Sequence, residues 1–195
     1  MKTIAITGNM GSGKSLVANV FEILGIPVYR ADHESRKFYS NPEVSLKVQS
    51  LIGSKVLNDD GSLDLKIIAS EVFIDKTMLA ELTAILHPLV LDDFKKWCSK
   101  REELAFVAIE SAIIFENQLE ASFDIVITVS APRDVSIERV KQRDHLSEEQ
   151  ILERLNTQYA DAYKCEHSDF VIKNDNSTMI IPQILSIYHQ ISSNQ

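Results

Sequence analysis

The run Gly8-Asn9-Met10-Gly11-Ser12-Gly13-Lys14-Ser15 fits the pattern GxxxxGK[ST] at every fixed position. The spacing has a mechanical reading. Glycines let the backbone fold closely around a phosphate chain with its N–H groups turned inward. A helix that follows adds the positive end of its dipole. Lys14 can then reach the β and γ phosphates, and Ser15 can ligand Mg2+. A chance match to the pattern is expected in about one chain in a hundred of this length. Here the match also falls between a strand-like run and a helix-like run, as the mechanism requires. Gly8, Asn9, Met10, Gly11, Ser12, Gly13, Lys14, Ser15 and Leu16 are therefore expected to hold a nucleoside triphosphate such as ATP, with magnesium at Ser15.

The loop by itself specifies a triphosphate and not what is done with it. Regulatory GTPases need a guanine-reading NKxD segment, and the nearest string, Lys173-Asn174-Asp175, lacks its spacing. The third strand-like run ends in Glu110 without a DxxG. Two other features suit phosphoryl transfer, which needs a base for the acceptor hydroxyl and mobile cations for the transferring group. Asp32 stands just beyond the second strand, at the edge where α/β sheets place ligands. An aspartate there is equally suited to capping the next helix. Arg139 and Arg143 are four residues apart and share one helix face, which can close over phosphates or simply face water. The residues alone leave open a kinase for an unspecified small acceptor and a nucleotide-binding switch that transfers nothing.

The elements that must position these groups follow from periodicity. Residues 2–7 read as a strand, 8–13 as a loop, 14–24 as a helix with Gly25 as its stop, and 27–29 as a second strand. Amphipathic stretches at 43–51, 63–73, 76–86 and 88–103 make the middle helical. A break is expected at His87-Pro88, because the residue before a proline disfavours helix. Strand patterns return at 104–109, 124–130 and 169–172. Between the last two lie helices at 133–143 and 147–156, the second with a capping box from Ser147 and Gln150. A final helix at 179–191 tolerates Pro182 only near its first turn. The pattern predicts an α/β fold: a five-stranded parallel sheet flanked by helices. The core is expected at about 1–32, 104–132 and 166–195, with an inserted helical substrate-binding region at about 33–103 and a helical lid at about 133–165.

Taken in order, the motifs resemble those of the dephospho-CoA kinase family along nearly the whole chain. The phosphate loop is followed by a strand leading to aspartate (Val28-Tyr29-Arg30-Ala31-Asp32) and by Leu86-His87-Pro88. Next come Ala112-Ile113-Ile114-Phe115-Glu116 and the arginine-rich Arg139-Val140-Lys141-Gln142-Arg143-Asp144. The set closes with Arg154 and Gln158, and with Phe170-Val171-Ile172-Lys173-Asn174. Two positions depart from the family pattern: Ala112 stands where proline is usual, and Glu110 where aspartate is frequent. The resemblance implies the P-loop nucleoside-triphosphate hydrolase fold and transfer of the ATP γ-phosphate to the ribose 3′-hydroxyl of dephospho-coenzyme A, the last step of coenzyme A biosynthesis. It implies Asp32, Lys14 and Arg143 as catalytic, and Arg139 and Asn174 on the nucleotide. It also implies Asp32, His87, Glu110 and Glu116 on the substrate side.

Composition narrows the partners. Of 195 residues, 28 are Asp or Glu against 20 Lys or Arg, a net charge of -8, the wrong sign for general nucleic-acid or anionic-membrane binding. Cys98 and Cys165 form no metal or redox spacing and read as free thiols. No run approaches the ~20 apolar residues that span a membrane, and the opening apolar run is too short for a signal peptide. A cytoplasmic monomer acting on a small molecule is expected.

Overall fold

The computed structural model describes residues 1–193 and divides the chain into two units, one of residues 1–30 with 101 onward and one of residues 31–100. The first unit is built on five strands: β1 (Lys2–Thr7), β2 (Val28–Arg30), β3 (Phe106–Glu110), β4 (Ile125–Ser130) and β5 (Phe170–Lys173). They form one parallel sheet in the order β2-β3-β1-β4-β5. Parallel strands are covered on both faces, so they read as continuous apolar runs, and every residue of β3 is buried. The expected strands are all present with ends moved by up to two residues. Pro27 stays outside β2 because it has no N–H to donate, yet its carbonyl accepts from Ala108 at 2.9 Å.

The helices of this unit are α1 (Lys14–Ile23), then, after those of the second unit, α6 (Arg133–Asp144), α7 (Glu148–Asn156), α8 (Asp161–Glu166) and α9 (Ile180–Ser193). Val17, Ala18 and Phe21 of α1 and Ile184, Ile187 and Ile191 of α9 join Ile4, Ile6, Ile127 and Ile172 of the sheet in one core. Pro182 sits in the first turn of α9, where its missing N–H has no partner to lose. The capping box is present: Gln150 N–H donates to Ser147 Oγ at 3.2 Å and Ser147 N–H to Gln150 Oε1 at 3.0 Å. Periodicity did not show α8, whose six residues are too few to carry a helical pattern.

The second unit holds α2 (Ala31–Glu34), α3 (Pro42–Ile52), α4 (Leu65–Val72) and α5 (Lys76–Ser99). Asn41, Asp64 and Asp75 cap the last three of these with their side-chain oxygens. Val44, Val48, Ile52, Ile68, Val72 and Leu82 form the unit's own core. One expectation fails here. The chain does not break at His87-Pro88, and α5 runs through it for 24 residues. A proline inside a helix costs ~3 kcal/mol and frees the carbonyl four residues back. Ala84, which owns that carbonyl, and Pro88 are both exposed, where solvent can replace the lost bond. Leu82 before the proline and Val90, Phe94 and Cys98 after it, spaced by multiples of four residues, keep the apolar face continuous and offset the cost. Among the described residues no helix is long and apolar enough to cross a membrane.

Candidate active site

The phosphate loop connects β1 to α1. Gly13, in a left-handed conformation, stands at the N-cap of α1, and Ser12 N–H closes the loop onto Asn9 O at 3.1 Å. Lys14 is mostly buried and its Nζ lies 3.2 Å from Asn9 O. Two glycines are required by close approach as well as by backbone. A Cβ on Gly8 would stand 2.2 Å from Val129 O, and one on Gly11 2.4 Å from Ser136 O of α6, with φ of 140° and 82°. Gly11→Ala is thus expected to keep the fold and to weaken Mg-ATP binding about tenfold or more, since left-handed backbone alone costs an alanine ~1–2 kcal/mol. Calorimetry of Mg-ATP binding checks this. Along the same segment Thr7 Oγ1, Asn9 Oδ1 and Ser12 Oγ are buried with no hydrogen-bond partner among the described residues, a concentration that marks a polar ligand site.

The loop's serine and the acid at the end of β3 meet. Ser15 Oγ donates to Glu110 Oε1 at 2.8 Å. The sheet makes this contact: Ile6 of β1 and Arg30 of β2 are both in register with Glu110, which brings the ends of three strands level beside the loop. A hydroxyl and a carboxylate are hard oxygen donors suited to Mg2+, which binds through one or two protein groups, phosphate oxygens and water. A three-residue acidic or histidine cage is not needed, and none exists among the described residues. The residues present fit the metal that the loop motif implies.

Arg139 and Arg143 part company despite their shared helix. Arg139 Nη1 donates to the carbonyls of Gly11 and Ser12 at 3.4 and 3.5 Å. Its Nη2 donates to Asn174 O and Oδ1 at 3.1 Å each and to Asn176 Oδ1 at 2.6 Å. Asn174 in turn donates from Nδ2 to Ser12 O at 2.7 Å. These two residues, expected on the nucleotide, clasp the outer carbonyls of the loop. Arg143 instead makes a two-pronged pair with Asp144, 2.7 Å on each prong. Those bonds, with the field of Glu110 added, raise its pKa, so it is a permanent cation that feels the charge of Glu110.

Glu116 is half of a buried pair. Lys164, fully buried on α8, places Nζ 2.8 Å from Glu116 Oε1 and 2.9 Å from Ala112 O. Glu116 Oε1 also accepts from Tyr159 N–H at 2.7 Å. Burial pushes the Lys164 pKa down and Glu116 opposes that shift. Asp32 and His87 belong to the second unit. Asp32 is the second residue of α2 rather than the residue before it, so the capping reading does not describe it. His87 Nε2 is buried with no partner among the described residues, and burial lowers the pKa of the ring.

The family model for dephospho-CoA kinase matches residues 2–179 of this chain, a span that contains every one of these groups. The chain belongs to the dephospho-CoA kinase family. A dephospho-CoA kinase of Bacteroides fragilis is 38% identical over 185 residues, 94% of this chain and 90% of that one. A solved Thermus thermophilus protein is 30% identical with a TM-score of 0.82, covering 99% of this chain and 97% of its own. The dephospho-CoA kinase of Campylobacter jejuni is 27% identical with a TM-score of 0.68 over 98% of both chains.

Membership in the dephospho-CoA kinase family puts the two departures in context. Glu110 is one methylene longer than the frequent aspartate, and its reach to Ser15 is the contact seen here. Ala112 contributes its backbone carbonyl to Lys164, an interaction that is the same for alanine and proline. Sequence reasoning missed Lys164 altogether. A lysine in the short run Asp161–Glu166 reads as a solvated surface residue, and only the fold shows that it is covered. It also missed the bond from Met10 N–H to Gln158 Oε1, 2.8 Å long and spanning 148 positions.

Proposed function

We propose that the protein transfers the γ-phosphate of ATP to the ribose 3′-hydroxyl of dephospho-coenzyme A, forming coenzyme A and ADP. The observation that carries this reading is the phosphate loop with Ser15 on Glu110, set within a family match over nearly the whole chain. Loop N–H groups and Lys14 hold the β and γ phosphates and stabilise charge as the phosphoryl group moves. A bound magnesium ion neutralises charge on those phosphates, and Ser15 Oγ and Glu110 are the residues that would hold it. Arg143 supplies a further permanent cation. Asp32 takes the proton of the attacking hydroxyl or aligns it. The chain keeps it within two residues of Arg30, the register partner of Glu110. His87, neutral at physiological pH, offers the acceptor a hydrogen-bonding group without charge. The reading places a monomer in the cytoplasm with a small-molecule substrate as its partner, and the net charge of -8 argues against nucleic acid.

The test is ADP release with Mg-ATP and dephospho-CoA, adenosine, shikimate, gluconate or no acceptor. Turnover with dephospho-CoA alone, with coenzyme A identified as product, is the expected result. Turnover with a different acceptor overturns the substrate assignment and leaves the phosphate site standing. ATP bound and never transferred overturns the kinase reading.

A further inference from the structure

Residue 10, at the apex of the phosphate loop, is held from outside the loop at two points. The Met10 side chain packs with Val140, Ile151 and Leu155, the apolar seam between α6 and α7. The Met10 N–H donates to Gln158 Oε1 at 2.8 Å, in the turn between α7 and α8. That turn is stiff, because Thr157 N–H and Oγ1 both bond Arg154 O and Gln158 N–H bonds Leu155 O. The next residue anchors it on the opposite side. Tyr159 N–H donates to Glu116 Oε1, the oxygen that Lys164 pairs, and Lys164 also holds Ala112 O. A single turn is thus bonded to the phosphate loop through residue 158 and to the loop after β3 through residue 159.

We propose that Gln158 is a positioning residue for ATP: it orients the phosphate loop through the Met10 N–H, from a turn that the Glu116–Lys164 pair fixes. The Met10 amide is spent on the side chain of Gln158, so its role is to set the loop's apex. The next residue, Gly11, has no room to adjust, since its Cα faces Ser136 O of α6 closely enough to exclude a methyl group. Loss of the Gln158 acceptor leaves residue 10 itself held only by its side-chain packing, which is non-directional, because the Arg139 and Asn174 contacts act further along, at the carbonyls of Gly11 and Ser12. The loop's inward N–H groups then pay an ordering cost each time triphosphate binds. A merely structural Gln158 would instead lower stability without altering nucleotide affinity.

The inference rests on the kinase reading for its acceptor, so the decisive measurement omits the acceptor. Gln158→Met keeps the length of the side chain and removes the acceptor oxygen. Calorimetry of Mg-ATP is expected to show Kd raised about tenfold, equivalent to ~1.4 kcal/mol. In the ADP-release assay the KM for ATP should rise similarly while the KM for dephospho-CoA stays within about twofold. An unchanged Kd for Mg-ATP overturns the proposal, whatever the thermal stability of the variant. A parallel rise in both KM values also overturns it, because that reports general loosening. If Gln158→Met fails to fold, Gln158→Asn, one methylene short of the Met10 N–H, is read against the same outcomes. Failure of the wild type to use dephospho-CoA changes the proposed function and leaves the calorimetric result valid.

Discussion

Asp32→Asn is expected to lower kcat by roughly 10²–10⁴, the range that a positioned proton acceptor contributes. The side chain is exposed on α2 and asparagine matches its shape, so thermal stability should change by no more than about 0.5 kcal/mol. The proposed nucleotide site comprises the phosphate loop, Glu110 and the Arg139–Asn174 clasp, none of which the substitution alters. The KM for ATP should therefore hold while kcat falls, since the interaction lost is made mainly in the transition state. Steady-state kinetics with both substrates varied, paired with thermal unfolding, measures all three quantities. Near-normal kcat in a folded variant would remove Asp32 from the chemistry.

The second large effect concerns stability. Lys164→Met should destabilise the protein by about 3–5 kcal/mol, because removing one partner of a buried pair strands the other charge. Among the described residues Glu116 then retains only the Tyr159 N–H, with little exposure to water, so it cannot be rehydrated where it sits. Against a total stability of ~5–15 kcal/mol this is a large fraction, readable as a shift in the urea midpoint. The double variant Lys164→Met with Glu116→Gln should recover most of the loss. An uncharged amide oxygen still accepts from Tyr159, and no charge is left stranded. A single variant as stable as wild type would show that water reaches the pair in solution.

The two predictions differ in how the residue was found. Asp32 was singled out as the proposed base because a short strand ending in an acid beside a glycine loop is a local pattern, and a family motif names it. Gln158 was also named by a family motif, with no bond assigned to it, whereas Lys164 was not legible at all, because nothing in a six-residue helix separates it from solvated surface. Their significance comes from partners 48 to 52 and 148 positions away. The helix through Pro88 has the same cause. A local rule favours a break, and burial at Leu82, Val90 and Phe94 outweighs it. Arg139 and Arg143 show the limit of helical spacing. It puts both on one side of α6, yet Arg139 reaches loops distant in the chain while Arg143 pairs with the last residue of its own helix.

The sequence by itself determined the phosphate loop, the five-strand parallel order of chemistry along the chain, the capping box at Ser147 and the family. Each is written in contiguous residues or in a short period, where sterics and hydrogen bonding act locally. The tertiary structure alone decided that Glu110 meets Ser15, that Arg139 and Asn174 clasp the loop from outside, and that Glu116 is neutralised by a buried lysine. These are side-chain contacts between elements far apart in the chain, and they exist only once strand register and helix packing have brought them within a hydrogen bond of each other.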